Sequence, residues 1–219
     1  MVPTLYIHPF SSYSQKAKIA FYEREAPFTP RQVEPGDPTS DAELAALSPL
    51  SKFPVLVDGD RIVLEATAII EHLDAVHVGS APLIPRDPAA AVETRMMDRL
   101  FDNYVMGPTQ TIVGDRLRPE DARDPYGVEQ ARATLVRMYG WMDRRLADRE
   151  WAAGATFSLA DCAAAPALFY ADWVEPISDA HTHLLTYAHR LMARPSVARA
   201  IDEARYFRPH FPLGGAPRW

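Results

Sequence analysis

Lys52-Phe53-Pro54-Val55-Leu56, followed by Glu65-Ala66-Thr67-Ala68-Ile69-Ile70, is the stretch that decides the fold. Val55-Leu56-Val57, the turn Asp58-Gly59-Asp60 and Ile62-Val63-Leu64 read as a hairpin. A proline stands at the entry to its first strand, and an acidic residue opens the helix expected from Glu65 to about Val76. Upstream, Thr4-Leu5-Tyr6-Ile7 is a short apolar run suited to a buried strand. It leads into Ser11-Ser12-Tyr13-Ser14, where serine is a natural helix N-cap. Ala17, Ile19, Ala20, Phe21 and Tyr22 then fall at helical spacing until Pro27. Residues 28–33 read as a second strand and 40–47 as a short helix ended by Ser48-Pro49. The order is βαβ followed by ββα.

Beyond this unit the pattern changes. Gly79, Pro82, Pro85 and Pro88 mark a linker over 79–88, which separates a domain at 1–78 from one at 89–219. No strand signal follows. Residues 89–115, 126–150, 159–175, 183–193 and 195–204 read as helices of an all-helical domain, with Pro166 expected to kink or shorten the third. Thr156-Phe157-Ser158-Leu159-Ala160-Asp161 is a capping box ahead of an apolar helix: Ser158 caps the helix and Asp161 reaches back to it.

Composition narrows the possible functions. The chain has 219 residues and 47% hydrophobic content, enough for one large domain or two small ones with a real core. Its net charge of -6 and its arginines, scattered among acids, give no basic footprint for nucleic acid or an anionic membrane. The single cysteine, Cys162, excludes an internal disulfide framework, and its alanine-rich surroundings mark it as a small buried hydrophobe. The N-terminus lacks the charged and apolar regions of a signal peptide, and no apolar run approaches the ~20 residues of a membrane span. A cytoplasmic protein is expected. His181, His183 and Asp179 sit close together, but a metal site needs three or four ligands in matched geometry, so no metal is expected.

Together these pieces outline a thioredoxin-like domain, in which the proline before the third strand is cis. The run from Leu5 to Ala20 resembles the opening of serine-type cytosolic glutathione transferases. It aligns without gaps to the zeta-class pattern of strand, two serines, cysteine and helix, and is close to the tau-class pattern; Tyr13 stands where zeta members carry cysteine. The resemblance extends over nearly the whole chain and implies a glutathione-binding domain joined to a helical one, in a homodimer.

The resemblance also implies site residues. Ser11, with Ser12 as the alternative, would donate a hydrogen bond to the glutathione sulfur at the strand–helix junction. Tyr13 is a further hydroxyl just past that position. A free thiol has a pKa near 8.5, and lowering it by two units requires about 2.7 kcal/mol, which one charge-assisted hydrogen bond of ~1.5–3 kcal/mol nearly supplies. Phe53, before Pro54, would offer backbone hydrogen bonds to the cysteinyl part, and Lys52 would pair with the glycine carboxylate. Glu65 would meet the α-amino group. Ala66 stands where relatives have a serine that binds the γ-glutamyl carboxylate, so it keeps the backbone N–H and loses the hydroxyl. Phe10, Tyr104, Met106 and Phe101 are candidates for the wall of a second cleft holding a hydrophobic electrophile. The aromatic tail Arg205–Pro212 either packs over that cleft or covers the bundle. The implied activity is glutathione transfer. A zeta-type isomerase and a transferase-fold interaction protein are the alternatives.

Overall fold

A computed structural model describes residues 2–77 and 81–219, so Gly79 and the expected domain boundary at 78/79 lie outside the described residues. The first unit is built from β1 (Thr4–Ile7), α1 (Ser12–Glu23), β2 (Thr29–Gln32), α2 (Pro38–Leu47), β3 (Val55–Asp58), β4 (Arg61–Leu64) and α3 (Ala66–Val76). Its sheet has the order β2-β1-β3-β4. β1 runs parallel to β2, with Leu5 opposite Pro30, and antiparallel to β3, with Leu5 opposite Leu56. β3 and β4 form the expected hairpin, and Gly59 takes the positive φ of +59° that the tight turn after Asp58 requires. Alternation along β1 sends Leu5 and Ile7 into a core shared with Ala17, Phe21, Ile69 and Ile70.

The second unit is all-helical: α4 (Pro88–Phe101), α5 (Gly107–Leu117), α6 (Pro125–Arg145), α7 (Leu159–Val174), α8 (Thr182–Ala193) and α9 (Pro195–Glu203), then a 3₁₀ segment over Arg205–His210. Among the described residues no helix is long and apolar enough to cross a membrane. α7 is the axis of the molecule. All of its residues but Trp173 are buried, and it packs on α1, α4, α5 and α8. Its alanines are what allow so many neighbours to approach closely. Helix α7 continues through Pro166 over Leu159–Val174, close to the expected 159–175, so of the two effects expected of that proline, a kink or a shortened helix, shortening does not occur. Burial on every side supplies the packing that offsets the backbone bond lost at proline.

The expected helix over 89–115 is instead two helices joined by a π-helical turn at Asp102–Met106, where the Gly107 N–H bonds to the Asp102 carbonyl five residues back. Pro108, which has no N–H and would crowd the carbonyl four residues before it, accounts for the irregular turn. The extra residue in this turn rotates everything after Asp102 relative to an uninterrupted helix. The capping box forms as read. Asp161, fully buried, accepts from the Ser158 N–H and hydroxyl (2.9 and 3.0 Å), and also from the Ala152 N–H (2.9 Å) and the Tyr187 hydroxyl (2.7 Å).

Candidate functional site

Two adjoining cavities lie where the sheet unit meets the helical unit. The first, of about 270 Å³, is lined on one side by Tyr13, Lys52, Phe53, Pro54, Glu65 and Ala66, and on the other by Arg99, Asp102, Asn103 and Gln110. The Phe53–Pro54 bond is cis. Glu65 has a φ of 68°, rare for a residue with a side chain. It occupies the N-cap of α3 without capping it, so the first-turn N–H groups of this helix open towards the cavity. Uncapped N–H groups at the positive end of a helix attract anions.

Beneath this cavity lies a cluster of charges buried between the units. Lys16 of α1, only 1% exposed, contacts Asp98 Oδ1 at 2.5 Å and Asp102 Oδ2 at 2.6 Å, and donates to Thr67 Oγ1 at 2.8 Å. The Lys16–Asp98 contact is an ion pair without hydrogen-bond geometry, and Asp98 Oδ1 has no hydrogen-bond donor. Thr67 Oγ1 donates to Asp98 Oδ2 at 3.0 Å. Arg99 closes the cluster from the rim, donating through Nε and Nη2 to Asp98 Oδ2 (2.9 and 2.6 Å) and through Nη2 to Asp102 Oδ2 (2.6 Å) and Thr67. Burial pushes the Asp102 carboxyl above the usual carboxylate range, against the opposing pull of Lys16. Tyr13 stands over this cluster. Burial, followed by the charge of Asp102, raises its phenol to about 12, so at neutral pH it is a hydrogen-bond donor.

The second cavity, of about 450 Å³, is lined by Phe10, Ser11 and Ser12 from the sheet unit, by Met106, Thr109, Gln110 and Val113 from the helical unit, and by Tyr170. The tail completes it with His210, Phe211 and Pro212. Phe211 stacks on Trp173 with ring centres 4.0 Å apart, and Phe10 meets Tyr170 edge-on at 5.4 Å. Of the two placements left open for the tail, the one over the cleft is adopted. The Tyr170 hydroxyl donates to the Phe10 carbonyl at 2.9 Å, and Gln15 Nε2 donates to that hydroxyl at 3.1 Å, so the wall is held from both units. Gln110 lines both cavities.

The expected site residues divide between these spaces. Lys52, Phe53, Pro54, Glu65 and Ala66 come together in the first cavity, and Phe10, Ser11, Ser12 and Met106 in the second. The Ser11 hydroxyl caps α1, accepting from the Ser14 N–H at 3.3 Å, which leaves its own proton free to donate. Tyr104 lines neither cavity and is 50% exposed, and Phe101 is core. The π turn explains the displacement of Tyr104, because its position follows from helical spacing only if the helix is regular. Arg99, Asp102, Asn103, Gln110 and Tyr170 carry no local signal in the sequence; only chain packing brings them to the site. Cys162 is fully buried, and its thiol is pushed up by burial, away from reactivity. Among the described residues no group of three or more His, Cys, Asp or Glu side chains is arranged to hold a metal ion. A larger hollow of about 710 Å³ between α1, α9 and β2 shares no lining residue with either cavity.

Comparison with known proteins points the same way. The family model described as glutathione S-transferase, N-terminal domain, matches residues 5–81, and that for the C-terminal domain matches 125–199, together more than half of the chain. FtsZ-localized protein A of Caulobacter vibrioides is 33% identical over 179 residues, covering 78% of this chain and 77% of the relative. A probable maleylacetoacetate isomerase of Caenorhabditis elegans is 24% identical over 172 residues, covering 78% and 79%. Among solved structures, a glutathione S-transferase from Methylobacterium radiotolerans in complex with glutathione sulfonate superposes with a TM-score of 0.80 at 28% identity, covering 92% of this chain and 95% of that one.

Proposed function

The chain belongs to the glutathione S-transferase family, and on that premise we propose that it binds glutathione in the first cavity and activates the thiol for attack on a hydrophobic electrophile held in the second. The observation that carries this reading is the junction of the two cavities, where Ser11, Ser12 and Tyr13 follow one another at the start of α1. A sulfur there would stand at the positive end of a helix, within a run of three hydroxyls. Ser11 is the assigned donor. It is fixed by its capping bond, faces the acceptor cavity, and is too weak a base to take the proton itself. Its hydrogen bond to sulfur favours the thiolate. Tyr13, kept protonated, is the competing donor from the glutathione side.

Several features support the tripeptide as ligand. Lys52 and Glu65 offer charges of both signs, Phe53 presents backbone next to the cis proline, and the α3 N-terminus suits a carboxylate. The acceptor cavity, walled by Phe10, Met106, Val113, Tyr170 and Phe211, suits a flat apolar molecule. A homodimer belongs to the same reading: Val92 and Met96, four residues apart on α4, and Leu50 are exposed apolar side chains of the kind a partner copy would cover.

The test is a glutathione titration that follows thiolate absorbance in wild type, Ser11→Ala, Ser12→Ala and Tyr13→Phe. A thiolate signal near neutral pH that moves to higher pH in Ser11→Ala supports the assignment. A signal sensitive only to Tyr13→Phe reassigns the donor, and no binding at millimolar glutathione overturns the enzyme reading. A second reading, an interaction protein on the same fold, draws on two observations: Ala66 lacks the hydroxyl, and the similarity to FtsZ-localized protein A covers most of the chain. That reading gains from the absence of glutathione binding and loses from a measurable thiolate.

A further inference from the structure

Ala66 presents no hydroxyl to the first cavity, and the hydroxyl of its neighbour is already spent. Thr67 Oγ1 donates to Asp98 and accepts from both Lys16 and Arg99. No side-chain hydroxyl at the start of α3 is therefore free for an incoming carboxylate. A guanidinium shares the cavity with these two residues and reaches Thr67. Arg99 lines the cavity beside Ala66 and Thr67, and its side chain is 46% exposed. It uses Nε and Nη2 to grip Asp98, Asp102 and Thr67, while Nη1 makes no hydrogen bond to the described residues. Arginine offers five donors in a rigid fork, and here the inner edge of the fork is tied down while the outer edge is open.

The charges fit a zwitterionic ligand with two acids. Asp98 is fully buried, whereas Asp102 lines the cavity with 9% of its side chain exposed and is neutralised by Lys16 underneath and by Arg99 at the rim, where the guanidinium is the more exposed group. With the Asp102 charge held by Lys16 and Arg99, Lys52, Arg99 and Glu65 offer two positive groups and one negative group to a tripeptide with two carboxylates and one amine. We propose that Arg99, from the helical unit, recognises the α-carboxylate of the γ-glutamyl group in place of a hydroxyl at position 66. Lys16, Asp98 and Asp102 are then positioning residues that hold the guanidinium at the rim. This assignment rests on the glutathione reading given above and deepens it. It also makes ligand binding bridge the two units, because the α3 N–H groups and Arg99 sit on opposite sides of the interface.

The experiment is calorimetric titration of the full chain with glutathione and with 4-aminobutanoyl-cysteinylglycine, which lacks only that carboxylate. The proteins are wild type, Arg99→Gln, Arg99→Lys, and Arg99→Gln combined with Ala66→Ser. Loss of a hydrogen bond to a charged group corresponds to roughly 10- to 100-fold in affinity. The expected result is a loss of that size for glutathione in Arg99→Gln, with the analogue bound as in wild type, and partial recovery when Ala66→Ser returns the hydroxyl. Arg99→Lys, which keeps the charge without the fork, is expected to lose glutathione affinity while remaining folded. Equal weakening of both ligands, or no weakening of either, overturns the assignment and leaves the glutathione reading standing. Failure of wild type to bind either ligand at millimolar concentration overturns both.

Discussion

Replacing Lys16 with methionine keeps the length of the side chain and removes its charge from a site where water cannot substitute. Asp98 has no side-chain exposure and Asp102 has 9%. Removing one member of a buried ion pair costs about 3–5 kcal/mol, because the remaining charge is left uncompensated. Arg99 still reaches both carboxylates, and Thr67 still donates to Asp98, which brings the expected loss to the lower end, about 3 kcal/mol. With a urea slope of about 3 kcal/mol/M, the unfolding midpoint falls by about 1 M. Coincident fluorescence and far-ultraviolet circular dichroism transitions would establish that one cooperative step is being measured. The deficit is also expected to depend on pH. Asp102 is already held above the usual carboxylate range by burial, with Lys16 the main opposing influence, so losing Lys16 raises it further. A carboxyl whose folded pKa exceeds its unfolded value contributes stability that is fully present below the unfolded value and is lost as pH rises through the folded one. The gap between variant and wild type therefore narrows as pH falls from 7 towards about 4. Adding Asp98→Asn and Asp102→Asn should recover much of the loss at pH 7, since the uncompensated charges are then gone. A Lys16→Met midpoint within about 0.3 M of wild type, or a gap that widens in acid, would refute the account of the cluster.

Asp161→Ala leaves the Ser158 and Ala152 N–H groups and the Tyr187 hydroxyl without their buried acceptor, and should cost about 3 kcal/mol in a denaturant titration; a loss below 1 kcal/mol would count against the capping box as a folding element. Phe211→Ala removes the ring that closes the second cavity against Trp173, so KM for an apolar acceptor should rise while glutathione affinity stays within about twofold; an equal change in both would show the tail acting on the whole fold. His8, whose ring accepts from the Phe10 N–H at 3.2 Å, has its pKa lowered, chiefly by burial. Its stabilising contribution is present above the unfolded value and lost as pH falls below about 6.5, so His8→Asn should flatten the acid side of the stability curve, and an unchanged acid limb would remove His8 from it.

The chain's own letters were enough for the local elements. Pro54 before an apolar run, Asp58-Gly59 at the hairpin, Ser11 ahead of α1 and Ser158 with Asp161 ahead of α7 act over a few residues, through backbone geometry and N–H groups that need partners. Periodicity likewise revealed the alternation of the strands and the helical second half. Tertiary structure decided what depends on packing across the chain. Pro166 stays within an unbroken helix because α7 is buried on every side, which no neighbouring residue announces. The π turn before Pro108 shifts the phase of the helix, which puts Tyr104 in solvent and Met106 and Gln110 at the cavities. Lys16, Thr67 and the pair Asp98 and Asp102 look in sequence like members of three ordinary helix faces, yet burial between two units joins them into one charge cluster. Arg99 reads as one arginine among twenty until that cluster fixes its guanidinium beside the start of α3. Local backbone preferences are encoded within a few residues, whereas the electrostatics of a buried site depend on which distant groups exclude water together.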